Sequence, residues 1–399
     1  MTTLDMFTLL LCLIATLPLL AARLADLPAH LGLRLAGIVG ALGMLACYLV
    51  VGEDVFYWIS GAMNDLTFNK VLVDTFLGVF AFGALMHLPL SALRAQAARG
   101  VALSAITFVL VMGGVAALSL KLASGYGFDL PLLFALILGA AVAAADPLTL
   151  DSAAPKKDAA ALNALFGTQT LLGLAIVFTL IPVLHGLESG HTAYSVGSIG
   201  TQAVTIVGLS VLFGGALGAV SGFALKHAED GYTALPIALA TVGVGVWLAQ
   251  QMPLSAPMAL GASGVMVATM MGDKAPARAL LAPVWHLMVN LLFVAVVALG
   301  GMELLMVNIK AVELYAGLAL VVPVFGLKYL ALKGAATLGK NTLARAHMAD
   351  LLWRAPMGLL PLLVALSLTP SAPRESVLAM AGVLLVTSVL AQVARALRA

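Results

Sequence analysis

An aspartate followed at once by a proline, Asp146-Pro147, lies inside an apolar run of membrane-spanning length, PLLFALILGAAVAAADPLTL at residues 131–150. A carboxylate placed in hydrocarbon costs about 2.5–3.5 kcal/mol on insertion scales, and such residues mark ion or proton pathways by default. The adjacent proline removes a backbone donor and breaks the helix, which frees carbonyl groups beside the acid. The chemistry this pairing offers is reversible binding of a proton or a cation. The alternative is a structural acid that caps a helix end or pairs with a lysine. Lys328, near the middle of the apolar run 312–336, is the natural partner for Asp146; it could release a proton when a cation binds, or simply brace two broken helices. A third group is the polar triplet Thr168, Gln169 and Thr170, carried by the run that follows the basic turn DSAAPKKDAA. It could line a substrate path or hydrogen-bond a neighbouring helix.

These residues need a membrane-embedded frame. The chain is 62% hydrophobic and 10% charged, against about 25% charged in a typical soluble domain, so an integral membrane protein is expected. A hydrocarbon core about 30 Å thick takes about 20 apolar residues per helix, and on that ruler about thirteen transmembrane helices fit the 399 residues. Lys and Arg fall mostly in alternate connections: Arg23, Arg34, Arg94, Arg99, Lys156, Lys157, Lys226, Lys274, Arg278, Lys333, Lys340, Arg345, Arg395 and Arg398 on one side, against Lys70, Lys121, Lys310 and Arg374 on the other. By the positive-inside rule the N-terminus is outside and the C-terminus cytoplasmic. The opening residues 5–22 read as a first span, since they lack a basic start and further spans follow.

An odd number of spans suggests two inverted repeats around a connecting helix. Pairing spans 1–6 with 8–13 sets the run holding Asp146-Pro147 opposite DLLWRAPMGLLPLLVALSLTP at residues 350–370, which Pro356, Gly358 and Pro361 interrupt. Discontinuous helices in matching positions of two halves point to a binding site near the bilayer midplane. His286 and Asn290, one turn apart, are expected to hydrogen-bond a neighbouring helix. Trp58, Trp285 and Trp353 lie close to span ends, as interfacial aromatics do, while Trp247 sits deeper. Cys12 and Cys47 have neither CxxC spacing nor histidine neighbours. No Walker loop, HExxH, GxSxG or metal-ligand cluster occurs, so no enzymatic activity, cofactor, bound metal or nucleic-acid partner is expected.

The chain resembles the monovalent cation:proton antiporter superfamily, the sodium/hydrogen exchanger-like membrane domain. The resemblance rests on LGLRLAGIVGALG (residues 31–43), FLGVFAFGALMHLPLSALRAQAARG (76–100), the acid-proline crossover AAADP (143–147), Lys328 two spans before the end, and the interrupted run at 350–370. It implies a dimerisation bundle at 1–95 and 230–305, a mobile core bundle at 100–185 and 310–399, and a linker helix at 195–226, assembled as a homodimer in the cell (plasma) inner membrane. It further implies alternating access with one carboxylate binding protons and cations in turn. One departure stands out. The family's coupling acid in the sixth span falls here on Gln169-Thr170 when aligned from the turn Ala154-Pro155-Lys156-Lys157, or on Leu172-Gly173 when aligned from the following apolar run, and residues 159–184 contain neither Asp nor Glu. Asp146 is then the one local carboxylate that could couple a sodium or potassium ion to a proton. Two other readings stay open: the same fold carrying another solute, and a non-transporting membrane scaffold or sensor.

Overall fold

A computed structural model describes residues 31–41, 70–86, 88–91, 99–144, 156–188, 196–252, 254–272, 276–306, 310–338, 359–368 and 371–397. Asp146, Pro147, Pro356, Gly358, His87, Trp58 and Trp353 lie outside the described residues, as does the first expected span. Among the described residues the secondary structure is entirely helical: α1 (Leu31–Ala41), α2 (Lys70–Leu85), α3 (Arg99–Tyr126), α4 (Leu132–Ala143), α5 (Lys156–Glu188), α6 (Val196–Lys226), α7 (Gly231–Gln251), α8 (Ala256–Met271), α9 (Pro276–Met306), α10 (Ala311–Leu338), α11 (Leu360–Ser367) and α12 (Ala372–Ala396).

Apolar length sets the architecture. Six stretches, Ser104–Tyr126, Gly167–Leu184, Val204–Lys226, Gly231–Gln251, Ala311–Gly334 and Ala372–Ala394, are long and apolar enough to cross a membrane. Their outward faces are apolar too, with Leu212, Val220 and Phe223 of α6 and Leu318, Val322 and Leu330 of α10 exposed. Water penalises such surfaces and lipid does not, so the chain is a multi-pass membrane protein. Prolines inside α5, α7, α9 and α10 (Pro182, Pro236, Pro283 and Pro323) are accommodated within continuous helices, as bilayer-spanning helices permit.

Two sets of helices emerge from the packing. In one, α8 is sandwiched by α6 and α2, with α7 and α9 packed around them. In the other, α3 packs on α4 and α10, α10 on α12, and α4 on α5 and α11. Between the sets run α2–α11, α5–α8, α9–α11 and α9–α12 contacts.

Small residues allow the closest approaches. Gly214, Gly218 and Gly222 of α6 face α8, where an added Cβ would lie 2.0 Å from the Ala259 carbonyl oxygen, 2.4 Å from that of Ser263 and 2.8 Å from Met270 Cβ. One aromatic expectation is corrected here. Trp285 is fully buried between α9 and α2 rather than placed in an interfacial belt; its Nε1 donates to the Val79 carbonyl at 3.2 Å and its ring meets Phe82 at 5.1 Å. Gly83 makes the room, since a Cβ there would meet Trp285 Nε1 at 1.9 Å. The buried indole satisfies its donor on a backbone carbonyl, as buried Trp generally must. The Asn290 amide donates to the His286 carbonyl at 2.8 Å within its own helix.

Candidate functional site

Among the described helices α4 and α11 are both too short to cross the bilayer, and they pack against one another. With 12 residues, α4 extends about 18 Å at 1.5 Å per residue, and α11 with 8 residues about 12 Å. The first ends at Ala143; Ala144 turns to extended backbone (φ −61°, ψ 133°) two residues before Asp146 in the chain. The second begins at Leu360 with Pro361 in its first turn, where the missing proline N–H is one that no intrahelical bond would use. Pro361 therefore starts a helix rather than kinking one. Both segments are almost wholly buried, and α11 packs on α4, α12 and α2. They are the described helical parts of the two runs expected to be interrupted; Pro147, Pro356 and Gly358 themselves lie outside the described residues.

Beside the end of α4 runs α5. A Cβ on Gly173 would lie 2.6 Å from Ala144 Cβ and 3.4 Å from the Ala140 carbonyl, so the two backbones touch at the point where α4 stops. The polar triplet lies within about a turn of that contact. Thr168, Gln169 and Thr170 are all buried, Thr170 completely. On the same helix Gly167 meets Leu88 beyond the end of α2, a Cβ there lying 2.5 Å from Leu88 Cδ2. Gly173, three residues beyond Thr170, thus sets α5 against the C-terminal end of α4, which carries partial negative charge from its unpaired carbonyls. Three hydrogen-bonding side chains and a helix C-terminus can hold a small cation or a hydrogen-bonding solute; within residues 159–184 the helix supplies no charge of its own.

Lys328 lies on α10, whose packing partners are α3 and α12. The adjacent Leu327 sits over Gly114 of α3, and Gly317 one face higher meets Met380 and Val383 of α12. Lys328 as a residue is half-buried. One turn on, Lys333 lies over the Tyr329 ring at 5.9 Å.

Other polar groups stand apart from the sites expected from sequence. Arg34 of α1 is buried, with its guanidinium 5.3 Å from the Phe293 ring of α9 and Nη1 donating to Gln392 Oε1 of α12 at 3.5 Å. Arg374 Nε donates to the Ala365 carbonyl near the end of α11 at 3.2 Å, and Ser376 Oγ donates to Glu313 Oε1 at 2.9 Å. Arg374 reads in sequence as an outer-loop charge, yet it is buried. Glu313 gives one sequence signal, an acid in the first turn of a helix. At the membrane edge Asp230 caps α7. Its carboxylate accepts from the Thr233 hydroxyl at 2.5 Å and the Thr233 amide at 2.8 Å, and these bonds hold its pKa below the ordinary 3.8. Among the described residues no group of His, Cys, Asp and Glu could hold a metal ion.

No family model matches the chain. Among curated proteins it is similar to the Na(+)/H(+) antiporter NhaP of Pseudomonas aeruginosa, 26% identical over 356 residues that span 83% of this chain and 80% of that protein. Its fold matches two structures of the sodium proton antiporter MjNhaP1 from Methanocaldococcus jannaschii, each 16% identical. One has a TM-score of 0.69 and covers 99% of this chain and 97% of that one; the other, from electron microscopy, has a TM-score of 0.64 and covers 99% and 96%.

Proposed function

We propose that this chain, a member of the monovalent cation:proton antiporter superfamily, is a secondary active transporter that exchanges a monovalent cation, sodium or potassium, for protons. The observation that carries the reading is the pair of short, buried, mutually packed helices α4 and α11, set in a fold shared with an antiporter over nearly the whole chain. Helix interruptions of this kind place unpaired backbone dipoles and an ionisable residue at one point inside the membrane.

In this reading Asp146 is the coupling carboxylate, two residues along the chain from Ala144, where the backbone turns extended after α4. Exchange at one site needs a group that changes charge between its two occupancies, and α5 offers none between residues 159 and 184. A cation would bind the ionised carboxylate with Thr168, Gln169 and Thr170 supplying neutral oxygens, and a proton would displace it. Lys328 balances the charge of the emptied site. The site alternates between the two faces as a core bundle (100–185 and 310–399) moves against a dimerisation bundle (1–95 and 230–305), with α6 as linker. The separation of helix contacts into two sets supports that division. The protein would act as a homodimer in the cell (plasma) inner membrane, with its N-terminus outside and its C-terminus cytoplasmic.

The test is dissipation of a pH gradient by purified protein in liposomes, with sodium, potassium and lithium added in turn. The parent is expected to respond to at least one ion, and Asp146→Asn to abolish the response. Undiminished exchange in that variant would remove Asp146 from its role. The neutral, buried triplet of α5 favours one other reading, a transporter of the same fold that moves a hydrogen-bonding solute; stabilisation by such a solute, with silence toward all three cations, would select it.

A further inference from the structure

Several side-chain bonds between helices stay inside one of the two sets. Trp285 to Val79 joins α9 to α2, while Arg374 to Ala365 and Ser376 to Glu313 join α12 to α11 and to α10. Arg34 to Gln392 does not stay inside one set. Arg34 is buried on α1, which packs on α9: a Cβ on Gly37 would lie 3.2 Å from Val294 Cα, and one on Gly301 2.6 Å from Ala41 Cβ. Gln392 belongs to the last turns of α12, in the other set. The guanidinium lies 5.3 Å from the centre of the Phe293 ring and donates from Nη1 to Gln392 Oε1. A planar guanidinium can do both at once, covering an aromatic face while its edge donates. The two contacts differ in kind. Phe293 is on α9, the helix that carries α1, so it stays with the guanidinium however the sets shift. The bond to Gln392 crosses the boundary and is long at 3.5 Å, against about 2.7–3.2 Å for an ordinary N–H···O bond. Gln392 is also only half used. Its oxygen faces Arg34, while Nε2 is buried with no hydrogen-bond partner among the described residues. A primary amide offers two donors as well as an acceptor, and a bare buried donor works against the arrangement seen here. The joint between the sets is thus a charged bond that is both made and loosely held.

We propose that Arg34 and Gln392 are positioning residues for transport: their bond holds the core bundle to the dimerisation bundle in the arrangement seen here and is released as the core moves. The proposal rests on the antiporter reading and its division into bundles, and it deepens that reading by naming a contact that must open. Arg34 travels with α1, α9 and Phe293; Gln392 travels with α12. The cation therefore keeps its aromatic partner throughout, and the step breaks one long hydrogen bond rather than stripping a buried charge. A contact made in one arrangement and lost in the other shifts the balance between them by the strength of that contact. An ion pair at this place would hold the bundles more firmly, because bonds between two charged groups are the stronger ones. An apolar pair would favour neither arrangement. A neutral amide opposite a cation lies between these limits.

The test strengthens the contact and then removes its cation. The parent, Gln392→Glu and the double variant Arg34→Gln/Gln392→Glu are compared for cation–proton exchange in liposomes at saturating sodium or potassium, and for Tm in detergent. Gln392→Glu is expected to raise the Tm and to lower the exchange rate at least about five-fold, since a firmer contact in one arrangement slows departure from it. The double variant should return both quantities toward the parent. Arg395, three residues along α12, offers the new carboxylate a competing partner; a double variant that stays slow assigns the effect to Arg395 and overturns the proposal. Stability and turnover that move in opposite directions are a result that a purely structural contact would not give. A raised Tm with the parent's exchange rate also overturns it, because the contact then does not open during transport. If Gln392→Glu is no more stable than the parent, or if the parent exchanges neither ion and the antiporter reading fails, deuterium uptake in detergent decides whether the contact holds the bundles. Gln392→Leu should then raise uptake in α9 and α12 at least about two-fold over the parent, with α6 and α8 unchanged, as local opening at the joint requires. Equal uptake in the parent and Gln392→Leu overturns the proposal.

Discussion

A carboxylate at the edge of the membrane does work that can be separated from transport. Asp230 stands before the first turn of α7, fully exposed, and accepts from both the hydroxyl and the backbone amide of Thr233. The side-chain bond is the larger cause of its lowered pKa and the backbone bond the smaller. The sign follows directly. A group whose folded pKa lies below its unfolded value contributes stability above the unfolded pKa and loses it as pH falls through the folded one. Asp230→Ala is expected to lower the Tm at neutral pH, with the gap to the parent closing as pH drops below the ordinary 3.8. Asp230→Asn should lose less, because the amide oxygen still caps the turn. Thermal unfolding of both variants from neutral to acid pH checks this, and a gap that widened on acidification would contradict it. Glu313 is the contrasting case. Both acids belong to helix N-terminal turns, but water surrounds Asp230 and packed helices surround Glu313.

At the scale of the helices, the contact between α6 and α8 depends on absent side chains. Gly214, Gly218 and Gly222 recur every fourth residue and set one face of α6 directly on the α8 backbone, the close approach that small residues permit between membrane helices. Gly218→Ala puts a methyl group 2.4 Å from the Ser263 carbonyl oxygen. That atom is backbone, so the helices must part, and overpacking of this kind costs about 1–3 kcal/mol. Gly215 has open space where its Cβ would go, and Gly215→Ala should be neutral or slightly stabilising, since alanine is the better helix former. Detergent thermal shifts for the two variants should differ in that order.

The same helices show what sequence can convey. Long apolar runs and the prolines and glycines that interrupt them announced the spans and the break after α4, because both depend on local chemistry. Trp285 misled because its depth is set by Gly83 on a distant helix. Glu313 was overlooked because an acid at the start of a span reads as a loop charge until α12 is seen to cover it. The triplet Thr168, Gln169 and Thr170 was legible as polar residues on an apolar helix. That α5 lies against the end of α4 rests on Gly173 meeting Ala144, a contact that spacing along one helix cannot reveal.

For the molecule as a whole, the proposed mechanism requires that contacts within each set of helices persist while some contacts between the sets change. Two pairs of residues separate these classes. Gly167 of α5 lies against Leu88 beyond α2, across the proposed boundary between core and dimerisation bundle; Gly261 of α8 lies against Leu85 of α2, within the proposed dimerisation bundle. A disulfide needs Cα atoms about 4.4–6.8 Å apart; at each pair a Cβ on the glycine would meet the leucine side chain. With Cys12 and Cys47 replaced by serine, oxidation of Gly167→Cys/Leu88→Cys is expected to fix the core against its neighbour and cut exchange at least about ten-fold, reversibly on reduction. Such a drop corresponds to at least about 1.4 kcal/mol on the rate-limiting barrier. Oxidation of Gly261→Cys/Leu85→Cys ties together two helices that travel as one, so exchange should be nearly unchanged. Flux in liposomes before and after reduction reads both. Full exchange through a quantitatively formed Gly167→Cys/Leu88→Cys crosslink would show that α5 does not move past the end of α2, and transport would then have to proceed by rearrangement within the core alone.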